Sequence, residues 1–401
     1  MPIHLSERVL SIKPSASIAA RKRVVELQAE GHDIIDFTIG EPDLDTPDHI
    51  VEAAIQALRA GDTHYTPSAG TRALRQSVAN KLSSTTGHSY TPEQVVVGSG
   101  AKQIIYEAFM ATLNPGDEVI IPAPYWVSYP DIVRLCGGKP VVVTCEESSG
   151  FKLTAEALQA AITPRTRWLV LNSPCNPTGA VYDAQSLASL SKVLSNHPDV
   201  MVITDDIYED LLYDESRHAN LVATAPAMAP RTLLVSGFSK SYAMTGWRVG
   251  YGIGPAELIQ AIVKLITQST TCVSSISQAG ALAAIDGPQD FLRQTLKTYD
   301  ERRCLMQRLI SSIPGVACEL PQGAFYLYPG VKGLMGRRTP DGKTLDSDVD
   351  LTSYLLDSAK VAVMDGTSYG LSPYLRLSYA TSLESIKDGC KRIAEACAKL
   401  S

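Results

Sequence analysis

The stretch from residue 94 to residue 254 constrains the fold most, because short apolar runs alternate there with helical ones. Apolar runs without polar alternation, such as residues 95–97 and 168–171, are typical of strands that are buried on both faces. Further runs of this kind lie at residues 118–121, 140–143, 200–204 and 232–236. Helices between such strands predict an α/β fold, in which a mostly parallel sheet is covered by helices on both faces.

The length of 401 residues is enough for two to three domains. The sequence predicts a large domain over residues 48–299, built on this sheet. Shorter strand-like and helical runs in residues 300–401 predict a smaller α+β domain, and residues 1–47 form an N-terminal segment that we expect to pack with it. Residues 330–348 are rich in glycine and basic residues, which predicts an exposed loop.

A formal charge of −6 gives no reason to expect binding to nucleic acid or to an anionic membrane. The N-terminus lacks the apolar core of a secretory signal, and apolar runs elsewhere are shorter than a membrane span, so we expect a cytoplasmic protein. The eight cysteines are scattered, without Cys-x-x-Cys pairs, which predicts neither a disulfide framework nor a metal site. Cys175 has no histidine nearby in the sequence, which argues against a nucleophilic thiol.

Ligands of open α/β sheets bind beyond the carboxyl ends of the strands, so the residues that follow each predicted strand are informative. Residues 98–102, Gly-Ser-Gly-Ala-Lys, lead from a strand into a helix, and free N–H groups at a helix start bind phosphate. A nicotinamide site of the Gly-x-Gly-x-x-Gly type is an alternative. Gln103 occupies the position of the third glycine, and no acidic residue ends a second strand at the expected distance, which argues against that alternative.

Three further strands are followed by polar side chains. Asn176 lies in a tight Asn-Pro-Thr-Gly turn, and Asp205 follows a strand with Tyr208 close behind it. Lys240 comes after the next strand, with Arg248 eight residues later. The N–H groups of a helix start and an arginine can bind a phosphate, and a carboxylate can pair with a protonated ring nitrogen. A lysine can form an imine with an aldehyde. Together these groups meet the requirements of pyridoxal 5'-phosphate.

Longer motifs surround these residues. They are Pro-Tyr-Trp-Val-Ser-Tyr-Pro at 124–130, Asn-Ser-Pro-x-Asn-Pro-Thr-Gly-Ala at 172–180 and Ser-Lys-x-x-x-Met-Thr-Gly-Trp-Arg-Val-Gly-Tyr at 239–251. They resemble the motifs of class I aminotransferases, which have the pyridoxal-phosphate transferase fold of type I. The resemblance runs nearly end to end and is greatest to the bacterial aspartate/prephenate aminotransferase subgroup, through residues 13–16, 65–70, 323–326 and 376–382.

This resemblance implies a role for each side chain near the cofactor ring. Lys240 would hold the cofactor as a Schiff base and carry the proton between substrate and cofactor, while Asp205 would keep the pyridine nitrogen protonated. Tyr208 and Asn176 would hydrogen-bond the ring oxygen. Trp126 would stack on the ring face.

The resemblance also implies how the phosphate is held. The backbone around Gly100, Ala101 and Lys102 would bind it together with the Arg248 guanidinium. Tyr65 would reach the phosphate in the neighbouring subunit, which implies a homodimer.

For the substrate, the resemblance implies that Arg376 binds the α-carboxylate through two parallel hydrogen bonds, a geometry that lysine cannot reproduce. Trp126 and Asn176 would also contact the substrate, and Gly40 would close the site with its backbone.

The side chain of the substrate is less tightly specified. Lys102 and Ser15 would face the second carboxylate of aspartate or glutamate, but Lys102 could instead serve only to cap the phosphate-binding helix. Tyr369 stands in a segment that departs from the family's commoner Pro-Gly-Ser-x-Phe, which leaves strict aspartate specificity open.

The function that follows is a transaminase that moves the amino group of aspartate or glutamate to a 2-oxo acid such as 2-oxoglutarate or oxaloacetate. The expected partners are these small molecules and a second copy of the chain. An aminotransferase of other specificity, for prephenate or an aromatic acid, stays open, and so does a pyridoxal-phosphate-dependent lyase, because the cofactor residues are common to all of them. A regulator that senses amino acids is disfavoured by the lack of a basic patch or a DNA-binding motif.

Overall fold

The computed structural model describes residues 3–12, 16–214 and 216–401, with the side chains of residues 16–21 left out of the description. The strands are β1 (Ile35–Asp36), β2 (Val95–Gly98), β3 (Glu118–Ala123), β4 (Lys139–Thr144), β5 (Thr166–Asn172), β6 (Met201–Asp205), β7 (Thr232–Gly237), β8 (Gly250–Ile253), β9 (Tyr326–Leu327), β10 (Val361–Ala362), β11 (Met364–Asp365) and β12 (Leu375–Ser378).

The α-helices are α1 (Glu7–Leu10), α2 (Ala16–Ala29), α3 (Asp48–Arg59), α4 (Arg72–Thr86), α5 (Ala101–Thr112), α6 (Tyr129–Leu135), α7 (Ala155–Ala161), α8 (Ala184–Leu194), α9 (Leu221–Thr224), α10 (Ala256–Ser269), α11 (Ser275–Asp286), α12 (Asp290–Ser311), α13 (Asp348–Tyr354) and α14 (Leu383–Cys397). Short 3₁₀ turns lie at Pro92–Gln94, Glu147–Ser149, Pro226–Arg231, Lys332–Leu334 and Thr367–Tyr369, and a π-helical turn lies at Leu355–Ala359.

Within the described residues, the main sheet has seven strands in the order β2-β8-β7-β6-β5-β3-β4. Neighbouring strands are parallel except at β8, which is antiparallel to both β2 and β7. The prediction of a mostly parallel sheet is therefore confirmed. The apolar runs bury both faces: Val96 packs in one cluster with α5 and α10, whereas Val95 and Val97 pack in another with α4 and α11.

The rest of the chain packs beside this sheet. Strands β11, β12 and β9 form a small antiparallel sheet, and β1 pairs in parallel with β10, which joins the N-terminal segment to the C-terminal part of the chain. Apolar side chains of α12, α13 and α14 cover these short strands in one core cluster. The division into residues 1–47, 48–299 and 300–401 stays a prediction.

Some predicted elements differ from the observed ones. The sequence pattern of residues 255–286 predicts one helical segment, but in the structure residues 270–274 separate α10 from α11. The apolar run Val-Ala-Val-Met at residues 361–364 predicts one strand, but β10 and β11 belong to different sheets because they pair with β1 and β12 respectively. Among the described residues, no helix is both long and apolar enough to cross a membrane, and no group of histidine, cysteine and acidic side chains is arranged to hold a metal ion.

Candidate active site

A cavity of about 370 Å³ opens at the carboxyl ends of β6 and β7. Most of the predicted site residues line it, and they come from segments far apart in the sequence. These lining residues are Gly40, Gly100, Ala101, Lys102, Trp126, Asn176, Asp205, Tyr208, Lys240, Arg248 and Arg376. The position of the cavity agrees with the rule that open α/β sheets bind ligands beyond the strand ends.

Lys240 follows β7, and its Nζ donates a hydrogen bond to the carbonyl oxygen of Gly40 at 2.6 Å. Burial lowers the pKa of Lys240 to about 8. The Glu41 carboxylate opposes this decrease in pKa, while the guanidinium groups of Arg376 and Arg248 add to it. An appreciable fraction of Lys240 is therefore the neutral amine, the nucleophilic form, near neutral pH.

Asp205 is the last residue of β6 and is buried. Its Oδ2 accepts a hydrogen bond from Tyr129 Oη at 2.6 Å. Burial raises the pKa of Asp205 to about 6; the Tyr129 hydrogen bond opposes this rise and the neighbouring Asp206 carboxylate adds to it. A protonated ring nitrogen against Asp205 would offset the burial, so this carboxylate fits the pyridine nitrogen of the cofactor.

The start of α5 and the Arg248 side chain form one corner of the cavity. Arg248 donates hydrogen bonds to the carbonyl oxygens of Ser99 at 3.3 Å and Thr245 at 2.9 Å. Gly100 has a φ of +81°, and a Cβ built on it would lie 2.7 Å from Arg248 Nη2, so glycine is needed here. Free N–H groups at a helix start beside a guanidinium are the donors that a phosphate requires.

Arg376, on β12, is only 3% exposed. It donates hydrogen bonds to Asn176 Oδ1 at 3.3 Å and to the Thr38 carbonyl oxygen at 2.5 Å. In the part of the chain that the structure describes, its buried Nε has no hydrogen-bond partner. The guanidinium carries five N–H donors, so it fits a carboxylate ligand.

Lys102 supplies a further positive charge to the cavity. Its Nζ lies 4.6 Å from the centre of the Trp126 ring, a cation–π contact. Burial lowers the pKa of Lys102, and the Arg248 guanidinium lowers it further. A ligand that brings negative charge to this side of the cavity would relieve both effects.

Among the described residues, one predicted site residue does not line this cavity. Tyr65 is 86% exposed on the surface and is not among the residues that line the cavity. Ser15 lies outside the described residues. Tyr369 is buried next to the Arg376 guanidinium, whose Cζ lies 5.3 Å from its ring centre, and it is not among the residues that line the cavity.

Sequence reasoning assigned no role to Tyr129, Tyr326 or Glu41, all of which line the cavity. Tyr129 lies three residues after Trp126 in the 124–130 motif, so an aromatic hydroxyl at a helix start was the available signal. Tyr326 is the final residue of the Gly-Ala-Phe-Tyr motif. Glu41 accepts a hydrogen bond from Thr245 Oγ1 at 2.9 Å, a contact that the sequence does not indicate.

The fold and this site define the class of protein. The profile of the family described as aminotransferase class I and II matches residues 32–393 of the chain. The chain belongs to that family and is a transaminase.

The names of the relatives that the chain resembles specify a substrate, which the family description does not. An aspartate aminotransferase of Rhizobium meliloti (strain 1021) is 48% identical over 396 residues, covering 99% of this chain and 97% of the relative. An aspartate/prephenate aminotransferase of Cereibacter sphaeroides is 48% identical over 397 residues, covering 99% of each chain.

Solved structures agree. The crystal structure of the aspartate aminotransferase from Rhizobium meliloti superposes with a TM-score of 0.98 at 47% identity and covers all of both chains. Aspartate aminotransferase from Thermus thermophilus with maleate gives a TM-score of 0.91 at 40% identity, covering 98% of this chain and 100% of the other. The prediction of the type I transferase fold is confirmed.

Proposed function

We propose that this chain is a pyridoxal-phosphate-dependent aminotransferase that takes the amino group of aspartate or glutamate and passes it to a 2-oxo acid such as 2-oxoglutarate or oxaloacetate. One observation carries the proposal: Lys240, Asp205 and Arg376 line the same cavity, with the Gly100–Arg248 corner beside them. An amine, a carboxylate, a phosphate-binding corner and a carboxylate-binding guanidinium are the groups that this reaction needs.

Bound pyridoxal phosphate supplies an aldehyde that condenses with amines and a ring that stabilises negative charge at the substrate Cα. Lys240 Nζ is placed to hold the cofactor and, once free, to move the proton from the substrate Cα. Asp205 would hold a proton on the ring nitrogen of the bound cofactor. The hydrogen bond from Tyr129 orients the Asp205 carboxylate for that contact.

Arg376 and Lys102 carry the proposed preference for acidic substrates. Arg376 would bind the α-carboxylate with N–H groups that its protein partners leave available. Lys102 would attract the second carboxylate. The Thermus thermophilus relative was solved with maleate, a four-carbon dicarboxylate, which supports a site for two carboxylates in this family.

The test is direct. Purified protein loaded with pyridoxal phosphate is incubated with L-aspartate and 2-oxoglutarate, and both oxaloacetate and glutamate are measured. We expect the two products in equal amounts from the native chain and none from Lys240→Ala. Formation of alanine and carbon dioxide from aspartate, without glutamate, would instead indicate a lyase and would overturn the proposal.

A second specificity is supported by the Cereibacter sphaeroides relative, whose name includes prephenate. Prephenate carries one carboxylate on its ring and one in its 2-oxo acid side chain, so it presents the same two charges to Lys102 and Arg376 in a larger molecule. Incubation with aspartate and prephenate, with the oxaloacetate formed as the measured product, tests this alternative acceptor. A kcat/KM for prephenate above that for 2-oxoglutarate would make it the preferred acceptor.

We also propose that the chain works as a homodimer in which Tyr65 reaches the phosphate in the other subunit. The exposure of Tyr65 supports this proposal. A second subunit that covered this aromatic side chain, which is 86% exposed, would remove its apolar surface from water. Sedimentation gives the mass, and titration of Tyr65→Phe with pyridoxal phosphate should show weaker binding by a few-fold. A monomeric mass would refute the dimer. Native cofactor affinity in Tyr65→Phe would refute the role given to Tyr65.

A further inference from the structure

Tyr326 connects the guanidinium of Arg376 with the hydroxyl of Tyr208. Its ring lies against the guanidinium, with Arg376 Cζ 4.5 Å from the ring centre. Its Oη lies 2.8 Å from Tyr208 Oη, and both tyrosines are buried. One side chain therefore contacts the group proposed to bind the substrate and the group proposed to bind the cofactor ring oxygen.

The short sheet fixes Tyr326 in this place. In the β9–β12 pair, Tyr326 lies opposite Ser378, so Arg376 is its diagonal neighbour two residues along β12. Diagonal neighbours share a face of the sheet and are within reach of aromatic and long side chains. Gly40 closes the other side, since a Cβ built there would lie 3.2 Å from Tyr326 Oη. The Tyr326 hydroxyl is thus held between backbone and Tyr208.

A tyrosine hydroxyl has a single proton to donate. If Tyr208 donates to Tyr326, it presents only lone pairs to the cavity and cannot donate to a ligand there. If Tyr326 donates to Tyr208, the proton of Tyr208 remains available for an acceptor in the cavity. Burial raises the pKa of both hydroxyls, so each keeps its proton at neutral pH.

The charge of Arg376 favours the second arrangement. A cation against the face of the Tyr326 ring draws electron density from it, which makes its O–H a better donor. Burial raises the pKa of both hydroxyls and the Arg376 charge opposes both rises, but of the two rings it is that of Tyr326 that the guanidinium lies against. An accepted hydrogen bond also strengthens the donor capacity of the hydroxyl that accepts it, because successive hydrogen bonds polarise one another.

We propose that Tyr326 is a positioning residue that donates its hydroxyl proton to Tyr208 Oη and so directs the proton of Tyr208 toward the cofactor ring oxygen. This inference rests on the proposed function, since the acceptor is the ring oxygen of pyridoxal phosphate. It assigns to Tyr326 an effect on the cofactor that is transmitted through Tyr208.

The test is a pH titration of the visible absorbance of the cofactor-loaded protein. A donated hydrogen bond stabilises the ionised ring oxygen, so its weakening should move the midpoint of the absorbance change upward. We expect Tyr326→Phe to raise the midpoint by about 0.5 to 1 unit, the size of one neutral hydrogen bond. Tyr326→Phe keeps the ring against Arg376, so the KM for aspartate should stay within about twofold of the native value.

Tyr328→Phe is the matched control. Tyr328 follows the same strand, is buried, and donates its hydroxyl proton to the carbonyl oxygen of Leu371 at 3.0 Å rather than to Tyr208. Loss of that hydroxyl should leave the midpoint unchanged. An equal rise in Tyr328→Phe would mean that any buried hydroxyl lost here has the same effect, and it would overturn the proposal.

A double-mutant cycle separates positioning from direct action. If Tyr326 acts through Tyr208, then Tyr326→Phe should have no further effect on the midpoint in a Tyr208→Phe background. The same upward shift in both backgrounds, or no shift in the native background, would refute the role given to Tyr326. A native protein without any pH-dependent visible band would refute the proposed function itself, and this inference with it.

Discussion

Asp205 ends β6 and Lys240 follows the adjacent strand β7 of the seven-stranded sheet, whereas Arg376 and Tyr326 lie on β12 and β9 of the small three-stranded sheet. We call the first pair the cofactor wall and the second pair the substrate wall. Strand β6 pairs with β7 through four residues in register, with Asp205 opposite Val235. Strand β9 pairs with β12 through only two residues.

The substrate wall also depends on a third segment. The Thr38 carbonyl oxygen accepts a hydrogen bond from Arg376, and a Cβ built on Gly40 would lie 3.2 Å from Tyr326 Oη. The cofactor wall is thus built into the main sheet, while the substrate wall is assembled from three distant segments. Changes in the first should affect the chemistry, and loss of Arg376 from the second should affect substrate binding and its specificity, whereas Tyr326 is proposed to act on the cofactor through Tyr208.

The largest expected effect is on the cofactor wall. Lys240→Ala should lower kcat by about 10³-fold or more, because it removes both the imine-forming amine and the proton carrier. Steady-state rates with aspartate and 2-oxoglutarate measure it. The control is Lys264→Ala, at an exposed lysine on α10, which should retain native rates. Comparable losses in the two variants would contradict a special role for Lys240.

The substrate wall should respond differently to Arg376→Lys. A lysine keeps the charge but loses the parallel pair of hydrogen bonds, so kcat/KM for aspartate should fall about 10- to 100-fold. The visible absorbance of the bound cofactor should remain. Arg308→Lys, at an exposed arginine on α12, is the control. Loss of cofactor binding in Arg376→Lys would remove the distinction between the two walls.

Lys102 tests the specificity assigned to the cavity. Lys102→Ala should lower kcat/KM for aspartate by roughly tenfold while leaving that for alanine nearly unchanged, because alanine has no second carboxylate. The ratio of the two constants is the quantity to measure. An equal decrease for both substrates would show that Lys102 only supports the phosphate-binding helix.

The smallest expected effect is on how the reactivity of the Lys240 amine depends on pH. Because its pKa is lowered to about 8, the neutral amine forms well below the pH at which an exposed lysine loses its proton. Labelling of Lys240 by an amine reagent in the cofactor-free chain, followed by peptide mapping, should rise with pH around a midpoint near 8. Glu41→Gln should lower that midpoint, since the Glu41 carboxylate raises the pKa of Lys240.

The sign of the stability effect follows from the same pKa. Above about pH 8 the folded chain loses this proton while the unfolded chain keeps it until near its ordinary pKa. The contribution of Lys240 to the free energy of unfolding therefore rises with pH across that interval. A labelling midpoint near the ordinary lysine pKa would contradict the buried, cation-flanked position of Lys240.

Both residues of the cofactor wall could be predicted from the sequence, and of the substrate wall Arg376 was predicted through the resemblance, whereas Tyr326 was not. Asp205 and Lys240 follow long apolar strands, and strand ends of a parallel sheet meet at one edge, so their proximity was predictable. Arg376 and Thr38 are 338 residues apart, and Tyr208 and Tyr326 are 118 residues apart. Strands of two residues, such as β9 and β10, are too short to show a periodic pattern in the sequence. Contacts that depend on them arise from tertiary packing and could not be predicted from that pattern.

The most direct measurement is reduction of the pyridoxal-phosphate-loaded protein with borohydride, followed by digestion and mass mapping of the modified peptide. The central claim is that Lys240 forms the imine with the cofactor in the cavity at the ends of β6 and β7. We predict a single stoichiometric label on Lys240. Label on a different lysine, or no label at all, would contradict the claim.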